Sequence, residues 1–169
     1  MKRICVILFM AIIVVGCQPP PDNSVNEAFE KNSKTVLAYL EGVQNESIDY
    51  AIFADDFISN GTGYGSPDSL TLEEKKVSDK GLFDMYDLEL SPNPVILLPG
   101  VSVDTKAADG SVRYYGTWTV TLPATDSTEA RTGSLKTYES FDFNEDGKII
   151  FLQFYGDVAG LMGYLNSKE

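Results

Sequence analysis

The spacing of apolar residues changes once along this chain, near Tyr86, and that change sets the class of fold. Before it, apolar side chains recur at helical spacing. Phe29, Val36, Leu37 and Leu40 follow Ser24 and Glu27, which stand three apart as a capping box requires, and Gly42 is the expected stop. Asn45 is placed to cap a second helix carrying Ile48, Ala51, Ile52 and Phe53. Thr71 and Glu74 form another box ahead of a third helix, ending in the stretch Leu82 to Tyr86. Lys75, Lys76 and Lys80 read as its solvated face. After Tyr86 the period becomes two. Leu88 and Leu90 alternate with polar neighbours, and Val95 to Leu98 is a short apolar run closed by Pro99-Gly100. In the strand from Arg113 to Thr121, Gly116, Trp118 and Val120 take one face and Thr117, Thr119 and Thr121 the other. Leu135 to Phe143 and Ile149 to Tyr155 form a hairpin through Asn144-Glu145-Asp146-Gly147. Asp157 is placed to cap a final short helix, Val158 to Leu165. Helices followed by a meander predict a single α+β domain with helices on one sheet face.

The N-terminus carries a different signal. Lys2 and Arg3 precede an apolar run from Ile4 to Val15, and Gly16 precedes Cys17. Twelve residues make about 18 Å of helix, while the bilayer core is about 30 Å thick. The parts are those of a secretion signal, and the cysteine after the cut resembles the lipobox of bacterial lipoproteins. That resemblance implies a signal peptide at residues 1–16, acylation of Cys17, a tether at 17–23 and a folded domain at 24–169. It places the protein in the cell envelope, anchored to the lipid bilayer through Cys17. Gln18, where inner-membrane lipoproteins carry Asp, favours the outer membrane.

Composition narrows the chemistry. Loss of Lys2 and Arg3 takes the net charge from −12 to −14, so the surface repels nucleic acid and anionic headgroups. There is no histidine, which excludes a His-based triad, a His-containing metal site and a histidine switch. The second cysteine, Cys5, lies inside the signal, so no disulfide is expected. Asp55-Asp56 and Asn144-Glu145-Asp146 lack the spaced oxygen ligands of a calcium loop, and no phosphate-binding glycine motif occurs. Neither metal nor cofactor is expected.

Three stretches resemble the nuclear transport factor 2-like superfamily, which includes SnoaL-like cyclases and ketosteroid isomerases. They are Phe53-Ala54-Asp55-Asp56-Phe57, Tyr115-Gly116-Thr117-Trp118, and Phe141-Asp142-Phe143 through Asp146-Gly147-Lys148-Ile149 to Tyr155-Gly156-Asp157. The resemblance implies a cystatin-like α+β domain. In it a cone-shaped, curved antiparallel sheet wraps around the N-terminal helices and encloses an apolar ligand pocket. Candidate lining residues are Tyr39, Phe53, Phe57, Asn60, Trp118, Tyr138, Phe141 and Phe154. Trp118 and Tyr138 stand out because each carries a polar atom that needs a partner when buried. The isomerases' aspartate base matches Gly61 here, and their helix-one tyrosine matches Leu37, with Tyr39 two residues away. Glu139 and Asp157 remain as candidate catalytic acids, and Asp55 and Asp56 read as helix-end residues. On this reading a membrane-tethered domain that binds an apolar small molecule, or an accessory domain, is favoured over an enzyme. One alternative is a SnoaL-like isomerase, cyclase or dehydratase using Glu139 or Asp157. The other is a protein-interaction domain acting through the outer sheet face, which is also the candidate homodimer surface.

Overall fold

The computed structural model describes residues 24–92 and 95–167, so the expected signal peptide, Cys17 and the expected tether lie outside the described residues. Helix α1 (Ser24–Gln44) turns Val36, Tyr39 and Leu40 inward. It runs past Gly42. That glycine instead admits the returning chain: a Cβ there would lie 3.0 Å from the Ile48 Cα. The second predicted helix does not form. Asp49 caps one 3-10 turn, Tyr50–Ile52, by accepting from the Ala51 amide at 3.0 Å, and strand β1 (Phe53–Asn60) follows. Phe53 and Phe57 are four apart, a spacing that suits one helix face or one strand face, and pairing with the last strand decides between them. Asp55 and Asp56 are therefore exposed residues of a strand, not of a helix end.

The two-residue strand β2 (Leu70–Thr71) leads into α2 (Leu72–Phe83). The predicted box is present. The Glu74 amide donates to Thr71 Oγ1 at 3.4 Å, and the Thr71 amide donates to the Glu74 carboxylate at 2.8 Å. The Thr71 amide and then the Thr71 hydroxyl, both donating to the Glu74 carboxylate, hold that carboxyl below its usual range. Then come β3 (Asp87–Leu90), β4 (Ile96–Val101), β5 (Ala108–Leu122), β6 (Arg131–Phe143), β7 (Ile149–Tyr155) and α3 (Val158–Leu165). Gly147 takes φ 79° in the β6–β7 turn, and Asp157 caps α3 by accepting from the Gly160 amide at 3.0 Å.

The seven strands run β2-β1-β7-β6-β5-β3, with β4 also on β5. The expected antiparallel cone is corrected on two counts. The sheet is mixed, because β1 lies parallel to β7. A tight hairpin dictates antiparallel pairing only for consecutive strands, and β1 meets β7 across almost the whole domain. The sheet is also open and not strongly curled: its ends, β2 and β3, do not pair. The long β5–β6 pair keeps one register from Val112↔Phe141 to Leu122↔Arg131, while the β1–β7, β4–β5 and β6–β7 pairs each carry a register shift. α2 follows β1 and β2 instead of preceding every strand, and the expected last helix follows β7. α1 packs across β5 and β3, α2 on β1, and α3 on β6. They bury one sheet face, where Val36, Leu40, Phe53, Val112, Phe141 and Ile149 form the core.

Candidate functional site

The register of the central pair decides which side chains reach the helices. Tyr114, Gly116, Trp118 and Val120 lie opposite Glu139, Thr137, Leu135 and Gly133, all on the covered face. Between that face and the three helices is a cavity of about 310 Å³. Leu82, Leu135, Leu152, Phe154 and Met162 supply apolar wall, and Trp118, 5% exposed, lines it as well. Its ionisable lining residues are Tyr39 from α1, Lys75 and Asp79 from α2, and Glu139 from β6.

Glu139 is 4% exposed, and no hydrogen bond reaches its carboxyl from the described residues. Burial pushes this carboxyl up to about 7; the Lys75 ammonium pulls it down and the Asp79 charge adds to the rise. A carboxyl poised there can take or give a proton near neutral pH.

Lys75 is only 6% exposed. Its Nζ donates to Tyr39 Oη at 3.2 Å and to Asp79 Oδ1 at 2.9 Å, and Asp79 Oδ2 accepts from Tyr50 Oη at 3.0 Å. The ammonium also sits 5.2 Å from the centre of the Tyr39 ring and 6.0 Å from that of Phe53. Burial, then the Glu139 and Asp79 charges, hold the Tyr39 hydroxyl well above its usual range, so it remains a neutral phenol. Its oxygen accepts from Lys75, which leaves its own proton to donate. The cavity thus holds a proton-exchanging carboxyl and a phenol donor within one electrostatic cluster.

Beneath the cavity, Tyr114 Oη and Thr137 Oγ1 are buried without a hydrogen-bond partner. Burial raises the Tyr114 hydroxyl to about 12; Thr137 and Trp118 lie near enough to oppose that rise, though neither completes a bond of good geometry. Gly116 makes room for this ring, since a Cβ there would meet Tyr114 Oη at 1.9 Å.

The sequence-derived candidates divide into groups. Tyr39, Trp118, Phe154 and Glu139 line the cavity. Phe53, Phe57 and Phe141 are core instead. Phe53 meets Phe57 edge-on at 4.7 Å, and Tyr39 meets Phe141 at 5.6 Å. Asn60 pairs in register with Gln153, one residue beyond Ser59, which does line the cavity. Tyr138 is on the outer face, its ring 4.9 Å from Tyr115 and 5.6 Å from Tyr155. Asp157 is spent on the α3 cap and does not line the cavity. On α1 it is Leu37 that is exposed and Tyr39 that faces inward, reversing the match to the isomerase tyrosine.

Lys75, Asp79 and Tyr50 were not among those candidates. Lys76 and Lys80 do form surface pairs, with Glu73 and Asp84, but Lys75 points the other way. The signal was the row Leu72, Lys75, Asp79 and Leu82, spaced three, four and three, which puts an ion pair on the apolar stripe of α2. Among the described residues no three acidic or cysteine side chains cluster in a way that could hold a metal.

No protein-family model matches the sequence, and no curated protein matches it. Solved structures do match the fold. A candidate polyketide cyclase from Xanthomonas campestris pv. campestris is 16% identical with a TM-score of 0.64, over 82% of this chain and 99% of that one. A nuclear transport factor 2-like protein from Burkholderia xenovorans is 16% identical, TM-score 0.59, over 81% and 97%. The pinacolase BvnE from Penicillium brevicompactum is 13% identical, TM-score 0.60, over 82% and 91%. The expectation that favoured a non-enzyme is corrected by this result together with the buried carboxyl: proteins sharing this architecture include ones described as enzymes. The fold resembles that of nuclear transport factor 2-like, SnoaL-like proteins, the group to which cyclases belong.

Proposed function

We propose that this chain is an acid–base enzyme acting on a small, largely apolar carbonyl compound, as an isomerase, cyclase or dehydratase. Glu139 removes a proton beside the carbonyl and returns it elsewhere, and the Tyr39 hydroxyl donates to the oxygen as charge develops on it. The observation that carries this is Glu139 itself, a buried carboxyl pushed up to about 7 and facing a cavity lined mainly by apolar groups. Apolar burial supplies the affinity, at about 25 cal/mol per Å² before the costs of association. The test is exchange of α-hydrogens for deuterium in D2O across a panel of small ketones, followed by NMR. Exchange that is catalysed by the wild type and lost in Glu139→Gln supports the reading. Exchange no faster than the Glu139→Gln background for every ketone that fits the cavity rejects it.

The same proposal places the enzyme on the envelope through acylated Cys17, which rests on the charged, apolar and small-residue parts of residues 1–16. The outer sheet face supports a second role, in self-association. Tyr115, Tyr138 and Tyr155 form a row across three strands, with Ile96 and Leu98 exposed beside it. A protein lacking residues 1–23 that sediments as a monomer at high concentration would reject that role.

A further inference from the structure

We infer that Asp79 is a positioning residue, held by Tyr50, which keeps the Lys75 ammonium against the Tyr39 hydroxyl oxygen and so leaves the Tyr39 proton free to donate into the cavity. The inference rests on the acid–base reading above and assigns the second half of its machinery. The geometry is a chain of three contacts. Tyr39 Oη accepts from Lys75 Nζ at 3.2 Å, Lys75 donates to Asp79 Oδ1 at 2.9 Å, and Tyr50 Oη donates to Asp79 Oδ2 at 3.0 Å.

Each contact removes an alternative for its neighbour. A lysine this deeply buried needs a counter-charge, and the side chains of Lys75 and Asp79 are 8% and 13% exposed. Lys75 and Asp79 are i, i+4 on α2, so helix geometry fixes their separation. Tyr50 occupies the second carboxylate oxygen, which prevents Asp79 from rotating away. Lys76 lies over the outer Tyr50 ring at 5.5 Å. Without Asp79, the flexible Lys75 stem is free to carry its charge out to water. The Tyr39 oxygen would then lose its donor.

Glu139 reports where Lys75 is. The ionisable groups that act on it or on its neighbours are Lys75 and Asp79 from α2, Tyr39 from α1 and Tyr114 from β5, with Tyr50 behind Asp79. Lys75 lowers the Glu139 carboxyl more than Asp79 raises it. The sign of a shift therefore separates two cases. If Asp79 is removed and Lys75 stays, Glu139 titrates at lower pH, because only the raising charge is gone. If Asp79 is removed and Lys75 leaves with it, the larger lowering influence goes too, and Glu139 titrates at higher pH.

The experiment follows the Glu139 carboxyl carbon by NMR in 13C-glutamate-labelled protein, assigned with Glu139→Gln. Asp79→Ala is expected to move the midpoint up, in the same direction as Lys75→Met. Asp79→Asn keeps one carbonyl acceptor, puts an NH2 donor in place of the other carboxylate oxygen and loses the counter-charge, and is expected to move it up as well. A downward move in Asp79→Ala would overturn the inference, since Lys75 would have kept its place unaided. Circular dichroism melts confirm that each variant is folded; if Asp79→Ala is not, Asp79→Asn decides, with a downward midpoint overturning the inference. The titration needs no substrate. Absence of ketone exchange with these shifts intact would sink the proposed reaction and leave the positioning role standing.

Discussion

Replacing Glu139 with glutamine should make the protein more stable at alkaline pH while abolishing the proposed proton chemistry. The folded chain holds the Glu139 carboxyl at about 7, against 4.5 for an ordinary one. Burial is the main cause, with Lys75 offsetting part of it and Asp79 adding to it. Between those two values the native state keeps a proton that the unfolded chain has released. Stability therefore falls as pH rises: the Glu139 contribution is complete below about 4.5 and is lost as pH passes about 7. One pKa unit is worth about 1.4 kcal/mol, so the full loss is on the order of 3 kcal/mol. Glutamine keeps the shape of the neutral acid and cannot ionise. The stability of Glu139→Gln relative to wild type should thus climb by about 3 kcal/mol from acid to pH 8, most of it above pH 5. Urea unfolding at a series of pH values measures this, with the single tryptophan as probe because Trp118 lines the same cavity. Taking the difference between two proteins cancels the titration of groups they share. A difference that stays flat with pH would refute the burial argument, and with it the assignment of Glu139 as the poised acid.

Tyr114→Phe removes a buried hydroxyl that has no hydrogen-bond partner, so it should be neutral or stabilising in thermal melts. Gly116→Ala puts a Cβ 1.9 Å from that oxygen and 2.4 Å from Tyr114 Cζ, which should cost about 1 to 3 kcal/mol and be only partly relieved by adding Tyr114→Phe. Thr71→Ala breaks the α2 capping box and should cost about 1 kcal/mol in urea unfolding. Cys17→Ser, or globomycin treatment, should trap the larger precursor; normal processing of Cys17→Ser to a soluble form would remove the lipoprotein proposal.

The strands were legible because period-two alternation survives in them. Trp118 with Gly116 and Val120 on one face, and Asn144 to Gly147 as a turn, follow from local sterics that tertiary packing did not override. The region from Asn45 to Phe57 departs from its helical spacing for an equally local reason. Apolar residues four apart do not distinguish a helix stripe from a strand face, and only the partner strand β7, almost a hundred residues later, settles the matter. The parallel direction of β1 was hidden in the same way, because no turn joins it to β7. The open ends of the sheet, β2 and β3, were not legible either, since the expected cone came from resemblance alone.

The site was half legible, and the division follows from how charge is satisfied. Glu139 could be found because a lone acid among inward-facing strand positions breaks the pattern. Lys75 and Asp79 could not be found by the same rule, since a lysine and an aspartate four apart on a helix also describe an ordinary surface pair. What separates the two cases is the company of Leu72 and Leu82 on the same stripe and a tyrosine thirty-six residues earlier, Tyr39, whose oxygen accepts a second ammonium proton. A buried charge pair of this kind contributes little net stability over an apolar replacement. Its presence on the face that borders the cavity is therefore better explained by what it does to Tyr39 and Glu139 than by what it adds to the fold. Lys75→Met with Asp79→Leu tests that view: the pair should be replaced with little loss of stability, and proton exchange at Glu139 should fall sharply. Loss of folding in the double variant would show that the pair is structural instead.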